Sequence, residues 1–171
     1  MHGRGAPKDD LQSLADELSQ AAPGTRFILP AGPHPLGRGR TWYPHFTEST
    51  QEAVDRHLLQ LRAQARGVVM DIVRDLRAQG IPDERIYVGG FSQGATVALD
   101  VVLSPEGSQL GGLISLSGGA LELDFAPLKR RALLHAFVSH GRSDPVINNR
   151  FSQSLVAALK LGGHEVQLVE F

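Results

Sequence analysis

The chain has 171 residues, 42% of them hydrophobic, enough for one domain with a substantial core but hardly for two. Lysine and arginine total 17 against 18 aspartate and glutamate, a formal net charge of -1, so no global field draws the chain to nucleic acid or to an anionic membrane. Cysteine is absent, which excludes disulfides, thiolate nucleophiles and cysteine-ligated metal, and no apolar run reaches the length of a membrane span.

The chain opens on His2-Gly3-Arg4-Gly5, a turn-like, glycine-rich stretch, and the first ten residues contain no signal-peptide core, so a soluble cytoplasmic protein is the default. Asp9 or Asp10 then caps a helix whose Leu11, Leu14, Ala15, Leu18 and Ala22 keep helical spacing until Pro23-Gly24 stops it. Residues 26–29, Arg-Phe-Ile-Leu, read as a short buried strand. From 30 to 46 proline and glycine forbid regular structure, and Trp42 beside Tyr43 either lines an acyl or leaving-group pocket or anchors this long loop to the body. Residues 48–79 carry Val54, Leu58, Leu61, Ala65, Val69, Ile72 and Leu76 at steps of three or four, the pattern of a long amphipathic helix. Gly67 is a candidate bend in it, and Gly80-Ile81-Pro82 its stop.

The stretch 86–103 organises the rest. Four residues of strand character, Ile86-Tyr87-Val88-Gly89, lead into Gly90-Phe91-Ser92-Gln93-Gly94, a G-x-S-x-G match, and a helical pattern follows with Ala95, Ala98, Leu99 and Val102 on one side. A serine pushed out at a tight strand-to-helix turn needs small neighbours two residues away, and Gly90 and Gly94 supply them. The new helix aims free N–H groups and its positive dipole end at whatever Ser92 attacks, and the amide of Gln93 can donate to a developing oxyanion. Ser92 is therefore the candidate nucleophile.

Beyond this elbow, 112–116 is a continuous apolar run of buried-strand length, Ser117-Gly118-Gly119 is a loop, and an irregular segment runs through Lys129-Arg130-Arg131, a solvated basic surface, to a strand over 133–138. The loop His140-Gly141-Arg142-Ser143-Asp144-Pro145 precedes a helix over 149–161 marked by Phe151, Leu155, Ala158 and Leu159. Gly162-Gly163 ends that helix, and 165–171 alternates into a last strand. Strands alternating with helices imply an α/β fold with a mostly parallel sheet, helices on both faces and ligands beyond the carboxyl ends of the strands. The histidines lack paired metal-ligand spacing, so no metal and no cofactor are expected.

Four stretches in this order carry a family resemblance: His2-Gly3-Arg4-Gly5, Thr41-Trp42-Tyr43-Pro44, Gly89 to Gly94 and His140 to Val146. Together they resemble the phospholipase/carboxylesterase family of α/β-hydrolases, the group that includes the acyl-protein thioesterases, over nearly all 171 residues. The resemblance implies a Ser92 nucleophile, Asp144 as the acid that orients the triad histidine, and an oxyanion hole made by the backbone N–H groups of Arg4 and Gln93. Asp144 alone would read as an Asp-Pro turn starting a helix. Many relatives carry leucine where this chain has Arg4.

In that family the histidine follows the last strand, shortly after a segment resembling 166–171, and a hydrophobic strand runs directly into the His-Gly-x-Gly loop. The chain thus reads as an internal piece of one hydrolase domain, without the strand before His2 and without the segment after Phe171. His164 precedes the final strand, roughly 20 Å from the catalytic rim at about 3.3 Å per residue. His2 and His140 sit in loops on the correct rim as braces of loop backbone, His34, His45 and His57 read as surface, and His135 lies inside a strand. The expected activity is serine carboxylesterase or thioesterase chemistry on a small-molecule ester or thioester, lysophospholipases being users of the same triad, and a non-catalytic hydrolase-fold binding protein is the alternative.

Overall fold

The computed structural model describes residues 1–44, 51–119 and 132–171, with 51–58 described in backbone only. The expected helix start at 48 and the basic segment at 129–131 lie outside these residues, as do His45 and the side chain of His57. In chain order the elements are α1 (Gln12–Ala21), β1 (His34–Leu36), β2 (Gly39–Thr41), α2 (Gln51–Ala78), β3 (Tyr87–Phe91), α3 (Gln93–Leu103), β4 (Gly112–Leu116), β5 (His135–His140), α4 (Arg150–Leu161) and β6 (Glu165–Glu170).

The strands β3, β4, β5 and β6 form one parallel sheet in sequence order, with Val88, Leu113, Ala136 and Val166 in one row across it. Helix α3 packs on β3 and β4, α4 packs on β5 and β6, and α2 lies against α3. Val97 and Val101 from α3, Leu113, Val138 and Leu159 are fully buried between sheet and helices, which is why β4 reads as a continuous apolar run. The opposite face of the sheet carries Tyr87, His135 and Val169, all exposed, beside the half-buried Ile114 and Phe137. Along β3 the leucines of α1, Leu14 and Leu18, face Ile72 of α2 and Val88 across a groove of about 730 Å³. Met1 adds one rung to the outer edge of β3: its amine donates to the Gly89 carbonyl (2.8 Å) and its own carbonyl accepts the Phe91 N–H (3.0 Å).

Three expectations are corrected. Residues 26–29 form no strand; Phe27 and Ile28 are more than a third exposed along the groove, because an apolar run becomes a strand only where a neighbour offers ladder partners. The stretch 30–46 is not wholly irregular: β1 and β2 pair as an antiparallel hairpin, His34 opposite Thr41, with Gly37 (φ 59°) supplying the left-handed turn residue. Gly67 does not split α2, which is one helix of 28 residues. Its end is as expected: Gly80 takes φ 81° and the Ile81 N–H reaches back to the Leu76 carbonyl (3.1 Å), so the chain turns toward β3.

Candidate active site

The elbow follows from how little room it leaves. A Cβ on Gly90 would lie 2.5 Å from the carbonyl carbon of Gly94, and a Cβ on Gly94 would lie 2.4 Å from the Met1 carbonyl oxygen and 2.6 Å from that of His2. Strand, helix and opening loop therefore touch backbone to backbone, and Ser92 is driven to φ 52°, ψ -116°. Its N–H donates to the Leu116 carbonyl at the end of β4 (2.9 Å), while its carbonyl accepts from Ala95 (3.0 Å) and Thr96 (3.2 Å). Fixed on both sides, a half-buried Ser92 stands at the head of α3. The first N–H of that helix, from Gln93, has no helical carbonyl to bond.

The opening loop runs along this serine: a Cβ on Gly3 would lie 3.7 Å from Ser92 Cβ. The buried His2 ring holds it in place. Its Nδ1–H donates to the Gly3 carbonyl (2.7 Å), and its Nε2 accepts the Gly32 N–H (2.9 Å), which fixes the neutral tautomer. Because C=O and N–H of one trans peptide point opposite ways, a pinned Gly3 carbonyl turns the Arg4 N–H to the other side, where it donates to no group among the described residues. Further along, Gly5 donates to the Arg40 carbonyl (2.8 Å) and Arg40 donates back to Ala6 (3.0 Å), so the hairpin and the loop form one unit.

Of the two readings of Trp42, pocket lining and anchor, its burial fits the anchor. It is 0% exposed, lies beside the His2 ring with centroids 5.3 Å apart, and donates its indole N–H to the His2 carbonyl (3.0 Å). The Gln93 side chain completes this buried cluster: its Oε1 accepts from the Trp42 N–H (2.9 Å), its Nε2 donates to the Tyr43 carbonyl (2.9 Å), and the Thr41 hydroxyl lies 2.9 Å from the same Oε1. The Gln93 amide was legible from the motif. The clamp made by its side chain was not, since its partners lie fifty residues away in sequence.

Asp144 follows β5, two strands from the one that carries Ser92, on the same carboxyl rim. Its Oδ1 accepts the N–H groups of Ile147 (2.9 Å) and Val146 (2.8 Å), which hold its carboxyl below the ordinary value of 3.8, with His140 and a hydrogen bond from Ser117 adding smaller effects in the same direction. The contribution of such a depressed carboxylate is present above the unfolded-state value and is lost as pH falls through the lower folded value. Asp144→Asn is accordingly expected to lower the melting temperature at pH 7, and its deficit against wild type is expected to shrink once the pH drops below 3.8; thermal melts across that range check both.

Among the described histidines His140 alone touches Asp144 (Nε2–Oδ2 3.4 Å), and the buried Nε2 of His34 has no hydrogen-bond partner among the described residues. His140 is fully buried, donates Nε2–H to the Ile147 carbonyl (2.8 Å) and accepts from the Ser152 hydroxyl at Nδ1 (2.6 Å), so it braces the Asp144 loop from below. His135 pairs with Glu165 (2.9 Å) and His164 accepts the Leu134 N–H (3.4 Å), both at the amino ends of β5 and β6, opposite the rim that carries Ser92 and Asp144. His34 sits in the hairpin.

A parallel sheet, a serine at positive φ between strand and helix, and a carboxylate on the loop two strands away define the α/β-hydrolase fold. The crystal structure of esterase PE8 superposes with a TM-score of 0.81 at 27% identity, covering 99% of this chain and 79% of that one. Acyl-protein thioesterase 1 of Neurospora crassa is 31% identical over 161 residues, 85% of this chain and 64% of that protein, and its counterpart from Mycosarcoma maydis is 30% identical over 181 residues, covering 94% and 73%. This chain spans 64% of the length of the Neurospora crassa relative, under two thirds of it. The family model described as Phospholipase/Carboxylesterase matches residues 1–171, and the chain belongs to that family.

Proposed function

We propose that this chain carries the nucleophile, the triad acid and the oxyanion hole of a serine carboxylesterase or thioesterase acting on small-molecule acyl esters or thioesters. The observation that carries the reading is the backbone of Ser92, held at φ 52° between β3 and α3 at a cost of about 1–3 kcal/mol that a plain turn would avoid. Ser92 Oγ attacks the carbonyl carbon and its proton passes to a histidine, while the amides of Arg4 and Gln93 donate to the tetrahedral oxyanion. Collapse expels the alcohol or thiol, which takes that proton, and water then releases the acid from the acyl-enzyme. Asp144, ionised at neutral pH, orients the histidine. His2, His135 and His164 have other partners, and His140 is fully buried with its Nε2 on the Ile147 carbonyl, so the resemblance assigns that base to the segment following the last strand in relatives.

The test is labelling by a fluorophosphonate probe together with hydrolysis of p-nitrophenyl esters. Wild-type protein is expected to label at Ser92, and Ser92→Ala to lose both labelling and turnover. Undiminished turnover in that variant would sink the reading, and a well-folded wild type that stays unlabelled would favour a non-catalytic binding role instead.

A further inference from the structure

His140 occupies a position that the pattern of its strand reserves for an aliphatic side chain. Burial alternates along β5, so Ala136, Val138 and His140 share the face covered by the helices, and the imidazole is fully buried there. Such a ring is costly to bury unless both of its nitrogens are paired, and here both are. Nε2 lies 2.8 Å from the Ile147 carbonyl, and Nδ1 lies 2.6 Å from the hydroxyl of Ser152, itself buried in α4. A carbonyl can only accept, so the ring proton is on Nε2 and Nδ1 takes the proton of Ser152.

The same Nε2 faces the carboxylate. It lies 3.4 Å from Asp144 Oδ2, beyond a good hydrogen bond but close enough for the positive end of the N–H dipole to act on a charge in a site of low dielectric. The two carboxylate oxygens are thus divided: Oδ1 holds the N–H groups of Val146 and Ile147, and Oδ2 has the imidazole beside it. Those two amides belong to the loop that carries Asp144 and move with it. What fixes the loop comes from outside. The Arg142 N–H on the Phe171 carbonyl (2.7 Å) ties its start to the end of β6, and His140 ties its far side, through Ile147, to β5 and, through Ser152, to α4. Ile147 is gripped from both sides: its N–H holds the carboxylate, and its carbonyl is held by the imidazole.

We propose that His140 is a positioning residue: its Nε2–H fixes Ile147 and the Oδ2 edge of Asp144 together, so that the carboxylate meets the triad histidine in one orientation. This rests on the reading of Ser92 and Asp144 as triad members. Two amide variants separate the role from mere filling of the core. A glutamine places its terminal nitrogen near the site of Nε2 and can still donate to the Ile147 carbonyl, whereas an asparagine reaches only as far as Nδ1 and withdraws that donor. His140→Asn is expected to lower kcat against p-nitrophenyl esters about tenfold with KM unchanged, and His140→Gln to recover it to within about threefold of wild type. The Asp144 carboxyl resonance, followed by NMR, is expected to titrate at higher pH in His140→Asn and to return toward the wild-type pH in His140→Gln. Equal kcat in the two variants, or a carboxyl titration that neither moves, would overturn the assignment. The imidazole nitrogen shifts of the wild-type protein decide it even where neither variant folds: a protonated Nε2 with a bare Nδ1 is expected, and the opposite tautomer, unable to donate to Ile147, would overturn it too. Ser92→Ala, run alongside, keeps the two readings apart: if it remains active the triad reading fails, while the tautomer and the carboxyl titration still decide the contacts of His140.

Discussion

Gly94→Ala is expected to lose about 3 kcal/mol of stability and to abolish fluorophosphonate labelling together with it. The added methyl would lie 2.4 Å from the Met1 carbonyl oxygen and 2.6 Å from that of His2, and neither is the free end of a side chain. Both belong to the backbone that carries the Arg4 amide past Ser92, so relief requires the opening loop to leave the elbow helix. A melting curve measures the first effect and probe labelling the second. Gly67→Ala is the control: nothing lies within 4 Å of its added methyl in the middle of α2, and alanine there is expected to gain up to about 1 kcal/mol.

Gln93→Leu is the second large effect. The side chain is 8% exposed and bridges the Trp42 N–H to the Tyr43 carbonyl, so leucine leaves the buried Trp42 N–H without a partner, while the part-buried Tyr43 carbonyl keeps the Thr41 hydroxyl (2.7 Å). A loss of about 1–3 kcal/mol for the stranded donor is expected. The backbone N–H of residue 93 survives the change. Protein still folded at low temperature is therefore expected to label with the probe, more slowly because the anchor on the Trp42 segment is gone. A variant as stable as wild type would show that the clamp contributes nothing.

The turn at Ser92 was readable from sequence because an elbow is local: five residues and the strand and helix beside them contain the whole device. The parallel strands β3 to β6 were readable for a related reason, since burial by α3 and α4 leaves uninterrupted apolar runs such as 112–116. Asp144 by itself looked like an Asp-Pro turn, and only its company of motifs separated the two readings. What sequence could not supply was distance. Whether 26–29 pairs depends on a neighbouring strand rather than on its own residues, and Trp42 turned inward because His2 and Gln93, forty and fifty-one residues away, offer it bonds. The hairpin was hidden by its composition, for Pro35, Gly37 and Gly39 argue against strand, yet Gly39 is required where a Cβ would lie 2.0 Å from the Gly5 carbonyl oxygen. Ser117, at φ 45°, carried no signal at all, because a serine before two glycines looks like any loop and its strain exists only in three dimensions.

On the proposed assignment of the Arg4 amide to the oxyanion hole, the His2 ring, bonded on one side to Gly3 and on the other to Gly32, has a bearing on how quickly the centre responds to an incoming acyl group. A peptide already locked in its working orientation by a buried imidazole has no dipoles left to rotate as charge builds on the carbonyl, so the reorganisation that water would need is removed beforehand. Tight binding of a tetrahedral mimic such as a boronic acid should then slow amide exchange at Arg4, whose N–H it takes, and leave that of the already bonded Gly5 and Ala6 almost unchanged.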